Sequence, residues 1–253
     1  MIRVAAIAAL TVREALRQKL AVNLLVFALV VIGASIVLSE LTFGEQYRII
    51  ADLALTSAAV FGTLIAVFLG AGLVAGDVQR KTVYPILAKP VSRAGYVVGR
   101  FAGLAATLTL NLAVMAATTV AVLWYYRGDL GFLRATPLVA AFAALAVQLA
   151  MVAAIAVLFS TFANATLSAV AGLSLAVTGH LSRAAIPLWM QSPAGKVAAY
   201  VLPNLAALDL KLQVVYEQPV PAGEVGLVLL YGACYAGACV ALASAIFSRR
   251  NLV

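Results

Sequence analysis

The sequence has 253 residues, 65% of them hydrophobic and 10% charged, with a mean hydropathy of +1.08 and a formal net charge of +8. A soluble globular domain is nearer roughly 45–50% apolar and about 25% charged, so a soluble enzyme is excluded. The charges cluster and leave five uncharged runs, Leu20–Ser39, Leu53–Gly76, Phe101–Tyr126, Ala135–Ser182 and Val225–Ser248, the pattern of an all-α polytopic membrane protein.

Residues 1–19 precede the first run, too much for the short basic start of a cleavable signal peptide, and a retained first span is expected. At 100° per residue Arg13, Glu14, Arg17 and Gln18 share one face and Val12, Ala15, Leu16 and Leu20 the other, with Lys19 the exception. This predicts an amphipathic N-terminal helix on the interface, with Arg13, Glu14 and Arg17 offered to the membrane surface or to a cytoplasmic partner.

A hydrocarbon core of about 30 Å takes about 20 helical residues. Runs of 20, 24, 26 and 24 residues each fit one helix. The run of 48 residues would make a rod of roughly 72 Å and must turn once, most readily at the polar window Ser160-Thr161-Phe162-Ala163-Asn164. Six spans result. Two connections outside the membrane are short, about Glu40 to Asp52 and Arg127 to Thr136; the third, 181–223, mixes Pro187, Trp189, Pro193, Tyr200, Pro203, Tyr216, Pro219 and Pro221. That composition suits short helices at or dipping into the outer interface and makes the segment a candidate dock for a periplasmic or accessory protein. In the last span Cys234 and Cys239 read as small buried residues. Gly232, Ala233, Ala236 and Gly237 there, like Gly99-x-x-x-Gly103 in the third span, offer small-residue packing surfaces, within the chain or toward a second copy.

With six spans the termini, the second-to-third connection and the fourth-to-fifth turn share one side. Its Lys and Arg residues outnumber the acids Glu14 and Asp77 by nine, against a net −1 on the other side. Both termini are therefore cytoplasmic. The basic excess is a topology signal, and no nucleic-acid partner is implied.

Catalysis and cofactor chemistry are disfavoured in turn. Ser174 and His180 lie six residues apart on one span, about 240° around a helix, and make no nucleophile–base pair. His180, the one histidine, has no paired ligand and reads as a residue near the outer end of its span; no metal or haem site is expected. No run holds an ionisable group of the kind that couples transport to ions, and the neutral Asn23, Asn111 and Gln148 read as interhelical hydrogen-bonding groups. The chain has no phosphate-binding loop, so any nucleotide belongs to another subunit.

The cytoplasmic connection Gly76 to Arg100 combines length, charge and punctuation. Asp77 is placed to cap a short helix, Lys89-Pro90 to stop it, and Ser92 to cap the third span, making a rigid elbow over 77–93. The alternative is a basic loop that only sets topology. Here the chain resembles the type-2 export permeases of the ATP-binding-cassette (ABC) superfamily, in particular the branch that includes the permease for nitrous-oxide reductase maturation. The similarity rests on Asp77, Arg80-Lys81-Thr82, the apolar Val83 to Leu87, Leu87-Ala88-Lys89-Pro90-Val91-Ser92-Arg93 and Gly99-Arg100. Lys81 stands where many members have glycine, and Pro85 interrupts the apolar helix.

The resemblance implies a permease subunit, not an enzyme, that forms a translocation path in the bacterial inner membrane as a homodimer or with a related permease. It also implies two copies of a cytoplasmic ABC ATPase that hold ATP and magnesium, this chain carrying no cofactor. Asp77, Arg80, Lys81, Thr82, Leu87, Lys89, Pro90, Ser92 and Arg93 would form the coupling element seated in the ATPase. An ATP-independent carrier or channel, and a membrane scaffold that anchors an ATPase complex, are the competing readings.

Overall fold

The computed structural model of the chain describes residues 2–40, 45–80, 92–128, 131–135 and 137–249, and no strand occurs among them. Helices α1 (Ile2–Leu16), α2 (Lys19–Glu40), α3 (Gln46–Gln79) and α4 (Arg93–Arg127) are followed by a short α5 (Phe132–Ala135). Next come α6 (Leu138–Ser160), α7 (Ala165–Trp189) and α8 (Pro193–Val201), a 3₁₀ turn at Leu205–Leu208, α9 (Lys211–Val215) and α10 (Ala222–Arg249). Six of these, α2, α3, α4, α6, α7 and α10, are long and apolar enough to cross a membrane. The chain is an all-α polytopic membrane protein.

α6 is the most uniformly apolar, and α3 and α6 form the centre, with 61% and 67% of their most apolar windows buried against 22% for α2 and α10. α2 lies on α3, α10 on α6, and α1 on α4. Outward α2 presents Phe27, Val30 and Val37. Asn23 lies on that exposed face and bonds no neighbouring helix among the described residues, whereas Asn111 is buried in α4.

The long run turns where its polar window predicts: α6 ends at Ser160, and the Asn164 carboxamide oxygen accepts from the Leu167 amide at 2.8 Å to start α7. α7 then runs on to Trp189, eight residues past the expected start of the outer segment, and continues through Pro187, which forfeits one backbone bond without ending the helix. The rest of that segment folds back on the bundle. Leu205, Leu208 and Val214 are buried, the 3₁₀ turn resting on α7 and α9 on α3. Outer-side charges pair locally, Arg127 with Glu217, Arg48 with Glu45 at 2.6 Å and Lys211 with Asp52 at 3.2 Å. Cys234 is exposed on α10, contrary to the buried reading; its apolar surroundings are on the outer face of the bundle and not in the core.

Candidate functional site

α3 and α4 are 34 and 35 residues long, about 51 and 53 Å at 1.5 Å per residue, and so outreach a hydrocarbon core of about 30 Å. The end of α3 and the start of α4 are the two stems that flank the expected elbow. Lys81, Thr82, Leu87, Lys89 and Pro90 lie outside the described residues; Asp77, Arg80, Ser92 and Arg93 flank them.

Ser92 does what its position predicts. With extended backbone it caps α4, its hydroxyl accepting from the Gly95 amide at 3.1 Å. Arg80 closes α3, its amide donating to the Gly76 carbonyl at 2.9 Å while the residue stays exposed. Arg93 donates to the Ser248 carbonyl at 3.2 Å and ties the second stem to the end of α10. Asp77 lies inside the last turn of α3, and its carboxylate accepts from a buried guanidinium, a contact that the local pattern does not predict.

That guanidinium is Arg100, which the charge pattern groups with the cytoplasmic loop. Arg100 is only 2% exposed. One terminal nitrogen donates to the Asp77 carboxylate; the other donates to the Glu14 carboxylate and, at 3.3 Å, to the Thr11 hydroxyl. The Tyr96 hydroxyl donates to Asp77 and accepts from Arg100 Nε at 3.5 Å, and the Tyr96 ring stacks on Phe247 of α10 at 5.7 Å. A single fork of donors thus joins α1, α3 and α4, with α10 held against it through the ring stack. Only arginine, with a planar fork of five donors, can serve two carboxylates and a phenol at once.

α1 reaches this cluster because α4 lets it come close. Ile7, Thr11 and Ala15, spaced by four, are its buried face, and Gly99 and Gly103 lie beneath it. A Cβ on Gly99 would meet Ile7 at 3.0 Å, and one on Gly103 would meet the Ala8 carbonyl oxygen and Thr11 Cβ at 2.5 Å. The Gly99-x-x-x-Gly103 spacing is therefore spent inside the chain, and Gly232 likewise packs on Val147 and Leu208. The wheel prediction holds only in part: Ala15 is buried, but Leu16 is 44% exposed and α1 stops there, so the helix does not continue to Leu20. Arg13 and Arg17 stay exposed, while Glu14 turns to Arg100.

Elsewhere the described residues hold no cluster of three or more metal-ligating side chains. Ser174 and His180 are not hydrogen-bonded to each other; His180 faces Gln148, 2.9 Å away. No curated protein matches the chain at a significant level. The family model described as ABC-2 family transporter protein matches residues 5–182, which include α1, the first four spans, the Arg100 cluster and most of α7. The chain belongs to the ABC-2 family of transporter proteins, as a multi-pass membrane permease component of an ABC transporter, in a family that normally works with a cytoplasmic ABC ATPase.

Proposed function

We propose that the chain is the permease of an ATP-driven exporter in a bacterial inner membrane, forming a translocation path as a homodimer or with a related permease above two ATPase subunits that hold ATP and magnesium. Residues 81–91 seat in the ATPase, with Arg80, Lys81, Thr82, Leu87, Lys89, Pro90, Ser92 and Arg93 as the coupling element. Exposed Arg13 and Arg17 face the ATPase or the lipid headgroups. The signature through Leu87–Arg93 is similar to that of the branch that includes the nitrous-oxide reductase maturation permease, and the 181–223 segment is the place for an accessory protein.

The observation that carries this reading is the Arg100 cluster. Both stems of the elbow are tied to one guanidinium, Asp77 from the first and Tyr96 from the second, and α1 and α10 are held to the same point. A push delivered to the 81–91 segment would therefore move α1, α3, α4 and α10 together, a rigid-body transfer with little slack. In this reading Asp77 belongs to the coupling element and, with Glu14, also joins it to the bundle through Arg100.

The test is charge reversal at the elbow. Arg80→Glu, Lys81→Glu and Lys89→Glu are each expected to reduce ATPase co-purification or to uncouple hydrolysis from transport by about tenfold, the effect of losing or inverting one charged contact at a partner surface. Unchanged association and coupling in all three would overturn the coupling role.

A further inference from the structure

In the outer half of the bundle, between α3, α6 and α7, lies a cavity of about 380 Å³ roofed by Leu208 to Lys211. Its size falls within the roughly 300–1,000 Å³ of small-molecule sites. Leu55, Ala59, Leu145 and Leu173 supply apolar walls. Between α3 and α7 the wall is open, for Val60, Val177 and Leu181 line the cavity and are each more than half exposed. Both helices are spans, so the opening faces sideways in the membrane plane.

Besides Thr56, Asp209 and Lys211, three polar side chains line this space, His180, Gln148 and Thr63. His180 Nδ1 lies 2.9 Å from the Ala176 carbonyl, which can only accept, so Nδ1 carries the proton. In the neutral ring Nε2 is then bare and accepts from the Gln148 amide at 2.9 Å, leaving Gln148 Oε1 as an acceptor unused by the pair. Thr63 also lines the cavity, and its buried hydroxyl has no partner among the described residues. Thr11, Thr107 and Thr119 each bond the carbonyl four residues back, which marks Thr63 as an exception at a depth where an unmet polar group is costly. A χ1 rotation exchanges its methyl and hydroxyl groups.

The charged groups sit at the roof, where Asp209 and Lys211 line the cavity and Asp209 is exposed. Lys211 Nζ lies 3.2 Å from Asp52 and 3.2 Å from the Thr56 hydroxyl, and the Lys211 amide donates to Asp209 at 3.0 Å. Below the roof the lining residues of α3, α6 and α7 include no Asp, Glu, Lys or Arg, so a charged group carried into the apolar space would find no counter-ion there. We infer that this cavity binds an uncharged, largely apolar molecule bearing one hydroxyl group, admitted from the bilayer between α3 and α7, its hydroxyl held between Gln148 and Thr63. The site is complete in one copy of the chain and does not depend on ATPase coupling.

The test uses the full chain in lipid nanodiscs without ATPase, labelled with a long-chain alcohol carrying a diazirine and with the matching alkane. The expected result is saturable labelling of the cavity-lining peptides of α3 and α7, with the alcohol favoured by about tenfold, the worth of one buried hydrogen bond. Thr63→Val and Gln148→Met are expected to remove that preference while the alkane still labels. Ala59→Leu, which fills the space, is expected to abolish both labels. Unsaturable labelling, or an alcohol preference that survives both polar substitutions in variants that melt like the parent, would overturn the inference. Because no ATPase is present, failure here is separable from failure of the elbow's coupling role.

Discussion

Replacing Arg100 with methionine is expected to lower the stability of the chain by about 3 kcal/mol, the lower end of the cost of breaking a buried ion pair. The cost comes from what is left behind. Asp77, whose side chain is 16% exposed, loses the Arg100 guanidinium, while Glu14, at 48%, rehydrates and contributes less. Asp77→Asn in the same background removes the carboxylate that faced Arg100 and is expected to restore about half of the loss; the non-additivity is the signature of a coupled pair. Arg100→Lys should rescue poorly, since an ammonium lacks the fork that serves Asp77, Glu14 and Tyr96 together. Unfolding titrations in mixed micelles measure all three variants. Wild-type stability in Arg100→Met would refute the joint.

A joint of this kind has a functional consequence that differs from its structural one. If the cluster only stabilises the bundle, Arg100→Met lowers stability and leaves hydrolysis tied to transport in the fraction that folds. If it passes force from the elbow, hydrolysis persists and transport falls in that same fraction. The Glu14 arm separates the two further. Being half exposed, it adds little to stability, yet it is the one ionic tie between the elbow stems and α1 among the described residues. Glu14→Gln is therefore expected to change coupling more than melting.

The spans are legible in the sequence because the bilayer imposes a single length and polarity on each, so runs of uncharged residues mark them without tertiary information. The turn at Ser160–Asn164 and the Ser92 cap are legible for the same local reason, a polar side chain satisfying an amide three residues ahead. What escapes is non-local. Arg100 is the residue just before an uncharged run, and charge counting assigns it to the loop; its two carboxylate partners lie 23 and 86 residues away, and no periodicity links them. Gly99 and Gly103 announce a close helix contact but not with which helix. The prolines and aromatics of 181–223 suggest short helices at the interface, yet burial of Leu205, Leu208 and Val214 depends on the gap that α3 and α7 leave between them. Asp77 reads as a cap because that is its local preference, and its bond to Arg100 is a longer-range contact that this preference does not announce.

Gly103 tests the same architecture from the packing side, because glycine in a helix interior is disfavoured by about 1 kcal/mol relative to alanine unless a close contact leaves no room for a side chain. At Gly33 in α2 an added methyl group would have nothing within 4 Å, so Gly33→Ala is expected to be neutral or slightly stabilising. At Gly103 a Cβ would sit 2.5 Å from the Ala8 carbonyl oxygen, which is backbone and cannot rotate aside. Gly103→Leu must therefore lift α1 off α4, at a cost of about 1–3 kcal/mol. Lifting α1 carries Thr11 and Glu14 away from Arg100, so packing and charge fail together. Hydrogen exchange of the α1 amides is expected to speed up about ten- to hundredfold in Gly103→Leu and to stay unchanged in Gly33→Leu. Protection of α1 that survives Gly103→Leu would mean that the helix is held by the membrane surface alone, and the Arg100 cluster would then lose its claim to organise the cytoplasmic end.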